Sequence, residues 1–240
     1  MANPVEQFKI EPIVPLEIGG VNVSFTNSSL WMVVAVVLAT GFLTLSVKGR
    51  ALVPGRWQSM AELMYEFVAN MIRDNVGTEG RKYFPFIFTL FMFVLFGNLI
   101  GMVPYTFTYT SHIAVTFGLA IVIFLGVTVI GFARHGTHYL RMFFPHGAPL
   151  ATAIILVPIE LISYCSRPFS LAIRLFANMT VGHIILKVMA GFIIMLGVAG
   201  IAPMIFLGGV TVLEFGIALL QAYVFTILAC IYLHDAIHMH

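Results

Sequence analysis

An all-α protein that crosses a membrane several times is the fold class this sequence predicts, on three observations. Of 240 residues, 60% are hydrophobic and only 9% charged, with a mean hydropathy of +1.01; a soluble domain carries about 25% charged residues. The apolar residues gather in continuous runs of about 18 or more, long enough to span a bilayer core as helix. The charges stand mostly at the ends of those runs, except for a few placed well inside the last two. The expected architecture is three ordinary spans, one interfacial amphipathic helix, and a C-terminal hairpin of two overlong, steeply tilted helices, all in one membrane domain of residues 1–240.

Composition excludes several functions. The net charge of +2 is too small to argue for a nucleic-acid partner. With so much of the chain spent on spans, no second stretch is left for a soluble catalytic domain. Cys165 and Cys230 both sit in apolar segments and fit no metal or redox spacing, so two free thiols are expected. The 13 Met and 22 Phe suit packing against lipid or protein. No cofactor and no metal site is expected.

Residues 1–29 carry Pro4, Pro12, Pro15 and Gly19, and the acids Glu6, Glu11 and Glu17. They lack a basic stretch followed by an early apolar core, so they read as a tail and not a cleaved signal. The first span is 30–47, closed by Lys48, Arg50 and Arg56. In 57–75 the period changes. Met60, Leu63, Met64, Phe67, Val68, Met71 and Ile72 share one face, with Ser59, Glu62, Glu66, Asn70, Arg73 and Asp74 opposite. That pattern predicts a helix lying in the interface plane. Arg81 and Lys82 introduce a second span, 84–103, ended by Pro104. An uncharged link, Tyr105 to Ser111, leads to a third span, 112–132, closed by Arg134, His135, His138 and Arg141.

This topology gathers Lys48, Arg50, Arg56, Arg73, Arg81, Lys82, Arg134 and Arg141 on one side, against Lys9 alone on the other. The positive-inside rule makes the basic side cytoplasmic, or matrix, with the N-terminus outside and the C-terminus inside. The last two segments, 150–196 and 201–240, are too long for ordinary spanning. As helix the first would run about 70 Å at 1.5 Å per residue, against a bilayer core of about 30 Å. Pro158, Pro168 and Pro203 offer places to bend, and Gly197 to Gly200 the turn between the two.

On a helical wheel, Glu160, Ser163, Arg167, Ser170, Arg174 and Asn178 fall within a sector of about 80°. A polar stripe on an apolar helix is expected to line water or another polar helix. Arg174 stands far from either end of its run and cannot release its charge. A permanent cation at that depth suggests electrostatic work on something mobile nearby. Ser163, Ser170 and Asn178 could equally hold helices together. On the returning helix, Glu214 and Gln221 share a face, with Tyr232 and Asp235 close to it. Pairing residues at equal distance from the turn gives three levels: Glu160 with Asp235, Arg174 with Gln221, and His183 with Glu214. Buried carboxylates in spans usually mark ion paths, and an imidazole level with Glu214 favours a relay. Arg167 and Lys187 read as snorkelling or structural, and the tail His234, His238 and His240 as interfacial.

The run Ser170-Leu-Ala-Ile-Arg174-Leu-Phe-Ala-Asn178, with Gly182-His183, Glu214 and Gln221, resembles subunit a of the F-type ATP synthases over nearly the whole chain. The resemblance implies a non-catalytic, proton-translocating stator subunit. Its partners would be a rotor ring of c subunits with membrane-embedded carboxyls, the peripheral-stalk subunit b, the rest of the complex and the lipid bilayer. It assigns Arg174 as the essential charge with Gln221 beside it, His183 and Glu214 to an outer half-channel, and Glu160 and Ser170 to an inner one. Asn178 lies between them, and Asp235 joins the proton path. His183 and Glu214 stand in swapped order relative to many bacterial members, which resembles mitochondrial and alphaproteobacterial ones. The implied location is a bacterial inner membrane, the mitochondrial inner membrane being the alternative. A secondary transporter would need its own substrate site, commonly at a repeat interface, and no internal repeat is visible. A quinone-binding or purely structural respiratory subunit would not need an unpaired mid-helix arginine.

Overall fold

The structure is a computed structural model that describes residues 9–15, 17–18, 21–22, 24–48, 53–103, 106–143 and 150–238. Glu6, Pro4, Gly19, Arg50, Pro104, Tyr105 and His240 lie outside the described residues, as does the side chain of Arg141. Six α-helices carry the fold among the described residues: α1 Asn27–Val47, α2 Arg56–Val76, α3 Phe84–Gly101, α4 Ile113–His135, α5 Leu150–Leu196 and α6 Ile201–Ile237. Five of them are long and apolar enough to cross a membrane; α2 is not among these.

Ahead of α1 the tail forms two short antiparallel pairs. Strand β1, Pro12–Val14, pairs with β4, Phe25–Thr26, and β2, Glu17–Ile18, pairs with β3, Val21–Asn22. The Thr26 hydroxyl accepts from the Ser29 N–H and caps α1. Asn27 holds the tail to the helix, its amide donating to the Lys9 carbonyl at 3.0 Å.

Helix α2 divides its apolar face. Val68, Met71, Ile72 and Val76 are buried, while Met60, Leu63 and Phe67 stay exposed. The Phe67 ring sits 5.7 Å from both Phe91 of α3 and Tyr223 of α6. Its polar face, Glu62, Glu66, Asn70, Arg73 and Asp74, is exposed. Helix α3 lies at the centre, with Ile87, Leu90, Phe91, Met92, Val94 and Leu95 buried against the other helices.

Contacts between helix ends fix which ends share a side. Arg134, at the end of α4, pairs with Glu79 in the 3-10 turn Thr78–Tyr83. The His135 imidazole donates to the carbonyl of Ile237 at the end of α6. At the other extreme, Phe107 and Tyr109 pack with Trp31, Met32 and Ala35 near the start of α1. The ends of α2, α4 and α6 therefore lie opposite the segment 106–111, and the described basic residues that follow spans lie with them.

Helix α5 runs unbroken for 47 residues with Pro158 and Pro168 inside it. At that length it is more than twice the thickness of a bilayer core, so it cannot stand along the membrane normal within it. The turn into α6 is a 3-10 helix, Gly197–Gly200, and Gly197 takes φ 54°, a conformation that glycine adopts without steric cost.

Candidate functional site

The site is the seam between α5 and α6, closed from behind by α3 and the segment 106–111. Because α5 continues through Pro168, its polar stripe stays on one face. Glu160, Ser163, Ser170, Arg174 and Asn178 are all exposed, and Arg167 is half-buried. No salt bridge among the described residues includes Arg174. Apolar side chains on the same helices, among them Ile173, Val181, Val212 and Leu220, are also uncovered.

Behind this open face the α6 residues are buried: Glu214 is 6% exposed and Gln221 1%. The Asn178 amide donates to the Gln221 side-chain carbonyl at 2.8 Å. Arg167 donates to an Asp235 carboxylate oxygen at 2.8 Å, and its guanidinium lies 5.6 Å and 5.2 Å from the Tyr164 and Tyr232 ring centres. A guanidinium held over two aromatic faces is attracted to both.

These contacts correct the pairing by equal distance from the turn. Gln221 meets Asn178, one turn beyond Arg174, and Asp235 meets Arg167 while Glu160 stays exposed. Equal-distance pairing assumes that the two helices advance in step. From the Glu214 level to the Asp235 level α6 advances 21 residues, while α5 recedes only 15, from Gly182 to Arg167. Arg174, between these two contacts on α5, stays exposed.

The Glu214 carboxyl presses on the backbone at Gly182, where a Cβ would overlap it. Both of its oxygens are buried and have no hydrogen-bond partner among the described residues. A buried carboxyl in that condition is costly and calls for an explanation beyond packing. His183, the next residue, turns to the segment 106–111. Its Nε2 lies 2.9 Å from the Gly101 carbonyl and 3.0 Å from the Thr108 hydroxyl. A carbonyl only accepts, so Nε2 carries the proton in that contact. Thr180 donates to the Ser111 carbonyl at 3.2 Å, tying the same turn of α5 to this segment.

Sequence reasoning missed four contributing residues. Asn98, fully buried in α3, donates to the Ala218 carbonyl at 3.1 Å, between Glu214 and Gln221 on α6. Thr108 holds His183. Gly97 and Gly101 make room for Tyr109 and Thr108, whose side chains occupy the space a Cβ would need. A lone Asn in an apolar span and a pair of glycines four apart were the available signals, since small residues at that spacing admit close approach. Tyr164, whose hydroxyl is within 2.6 Å of Thr128 and 3.2 Å of Tyr139, links α5 to α4. Cys165 is exposed and Cys230 buried, both free.

Five apolar helices with ionisable groups gathered on a long antiparallel pair define a multi-pass membrane protein of the ion-translocating class. A family model described as "ATP synthase A chain" matches residues 29–234. The chain belongs to that family, as a membrane-sector subunit of an F-type ATP synthase in a bacterial inner membrane. It is 75% identical over 247 aligned positions to ATP synthase subunit a of Paramagnetospirillum magneticum, covering all of both chains. It is 68% identical over 241 to that of Rhodospirillum rubrum, again covering all of both. Its identity to the subunit a of Parvibaculum lavamentivorans is 56%, over 98% of this chain and 94% of the relative. Its partners are the other subunits of the complex.

Proposed function

We propose that this chain is the stator path for protons, in which two offset half-channels meet at Arg174 and a rotor carboxylate passes before it. One observation carries the reading: Arg174 stands exposed in the polar stripe of α5 among uncovered apolar side chains, without an ion pair among the described residues, about two turns along α5 from Gly182, which the buried and unpartnered Glu214 packs against. In lipid that face is costly, so it needs a partner that is itself carboxylate-bearing and apolar. A ring of c subunits has that chemistry.

A ring carboxyl beside Arg174 is held ionised, because a nearby cation favours the charged form. Facing lipid, the same carboxyl must carry a proton. His183, held against segment 106–111, and the buried Glu214 behind it deliver protons to the ring from that side. Glu160 and Ser170, lower on the stripe, release them on the basic, cytoplasmic side. Asn178 and Gln221 separate the two, and Asp235, held by Arg167, stands near the inner mouth. The fixed cation repels protons that would leak directly from one half to the other. Each charge is driven by about 2.3 kcal/mol per 100 mV of membrane potential, and the offset of the paths makes rotation directional. The chain performs no bond chemistry itself in this reading; subunit b and the ring are its neighbours, with its N-terminus periplasmic and its C-terminus cytoplasmic. Arg174→Ala abolishes ATP synthesis driven by a proton gradient; normal ATP-driven proton pumping in that variant contradicts the assignment.

A further inference from the structure

Apart from the seam, an open cavity lies on the basic side of the protein, between the end of α2 and the start of α3. It has a volume of about 540 Å³ and is lined by Arg73 and Arg81, with Tyr65, Asn70, Thr78 and Phe84 among the other walls. Both arginines are exposed, and neither enters a salt bridge among the described residues. Of the acids close in sequence, Glu79 is taken by Arg134, and Asp74 does not line the cavity. Two arginines thus line one space, and no carboxylate among the described residues lines it with them.

A second, narrower cavity of about 390 Å³ shares the Tyr65 wall. It is an apolar groove between α1, α2 and α3, lined by Leu43, Val47, Ala61 and Phe88; at its rim Glu62 accepts from Gln58 at 2.8 Å. Tyr65, Phe84 and Phe88 form the ridge between the two spaces. The Tyr65 ring lies 4.6 Å from Phe84 and 6.2 Å from Phe88, and Phe84 stacks on Phe88 at 5.4 Å.

We propose that these two spaces are one binding site for an anionic glycerophospholipid, its phosphate between Arg73 and Arg81 and one acyl chain in the groove beyond Tyr65. Arg81 immediately precedes the apolar run of α3, so a phosphate there sits at headgroup height, while Leu43 and Phe88 in the groove stand inside the spans α1 and α3. Arginine forks match phosphate oxygens bidentately, and basic pockets between helices on the cytoplasmic side suit anionic headgroups. A free phosphate would use the arginines and leave the groove unoccupied; a lipid uses both.

The test uses the intact ATP synthase reconstituted in phosphatidylcholine vesicles containing a small fraction of phosphatidylglycerol with a photoactivatable group on one acyl chain. Phosphatidylcholine carrying the same group serves as the control. Cross-links are mapped by peptide mass spectrometry to the groove residues, and labelling favours the phosphatidylglycerol probe. Each basic residue near a membrane surface is worth about a fivefold preference, so Arg73→Gln/Arg81→Gln reduces that preference roughly 25-fold. The paired lysine substitutions retain most of it. Both positions are exposed, so the core is untouched, and ATP-driven proton pumping reports assembly. Equal labelling by the two probes, or an unchanged preference in the glutamine variant, overturns the proposal. Competition by inorganic phosphate would make it a phosphate site, and protection of the groove from every lipid probe would mean that another subunit covers it; either result also overturns it.

Discussion

Gly182→Ala reports most sharply on how α5 holds the Glu214 carboxyl. In the structure a Cβ at 182 falls on that carboxyl, so alanine cannot be added unless Glu214 moves. Glu214 is only 6% exposed, and its neighbours on α6, Ala218 and Gln221, are buried too, which leaves the side chain little room to withdraw. Inserting one methyl into such packing costs about 1–3 kcal/mol, or about five- to 160-fold in the population of the observed arrangement. If protons reach the ring through that arrangement, passive proton flux through the reconstituted membrane sector falls by a factor within that range. Glu214→Asp shortens the side chain by one methylene and frees the space the new methyl requires. Gly182→Ala/Glu214→Asp therefore conducts better than Gly182→Ala alone. Undiminished flux in Gly182→Ala, or a double variant no better than the single one, refutes the reasoning.

Two further predictions concern the contacts that replaced the equal-distance pairs. Asn178→Ala leaves the carbonyl of the buried Gln221 amide without its donor, at about 1–3 kcal/mol; amide hydrogen exchange around residues 218–225 of α6 accelerates correspondingly, by about five- to 160-fold, in the assembled complex. Arg167 and Asp235 are both partly exposed, so their pairing is worth about 1 kcal/mol or less. A double-mutant cycle with Arg167→Gln and Asp235→Asn, read in the thermal dissociation of the solubilised complex, returns a small coupling of that size.

The helices were legible because a span must satisfy its backbone internally and stay apolar for about 20 residues, so the runs announce themselves. The polar stripe was legible for the same reason, since six polar residues within 80° of a wheel have no apolar explanation. The two strand pairs before α1 were not, being two or three residues each amid Pro and Gly. Asn178 and Gln221 were each named, but their partnership depends on how unevenly α5 and α6 advance, and a helical wheel carries no such information. The Thr108 contact with His183 depends on a segment 75 residues away packing against Gly101. Short-range patterns cannot specify an approach of that kind.

The most direct measurement of the central claim is passive proton flux through the ring-containing membrane sector in liposomes, wild type against Glu214→Gln. Glutamine keeps the shape of the buried side chain and removes only its ability to exchange a proton. The account predicts that flux is lost while the complex stays assembled. Wild-type flux in that variant would make Glu214 and His183 a structural contact and would contradict the proposed outer half-channel.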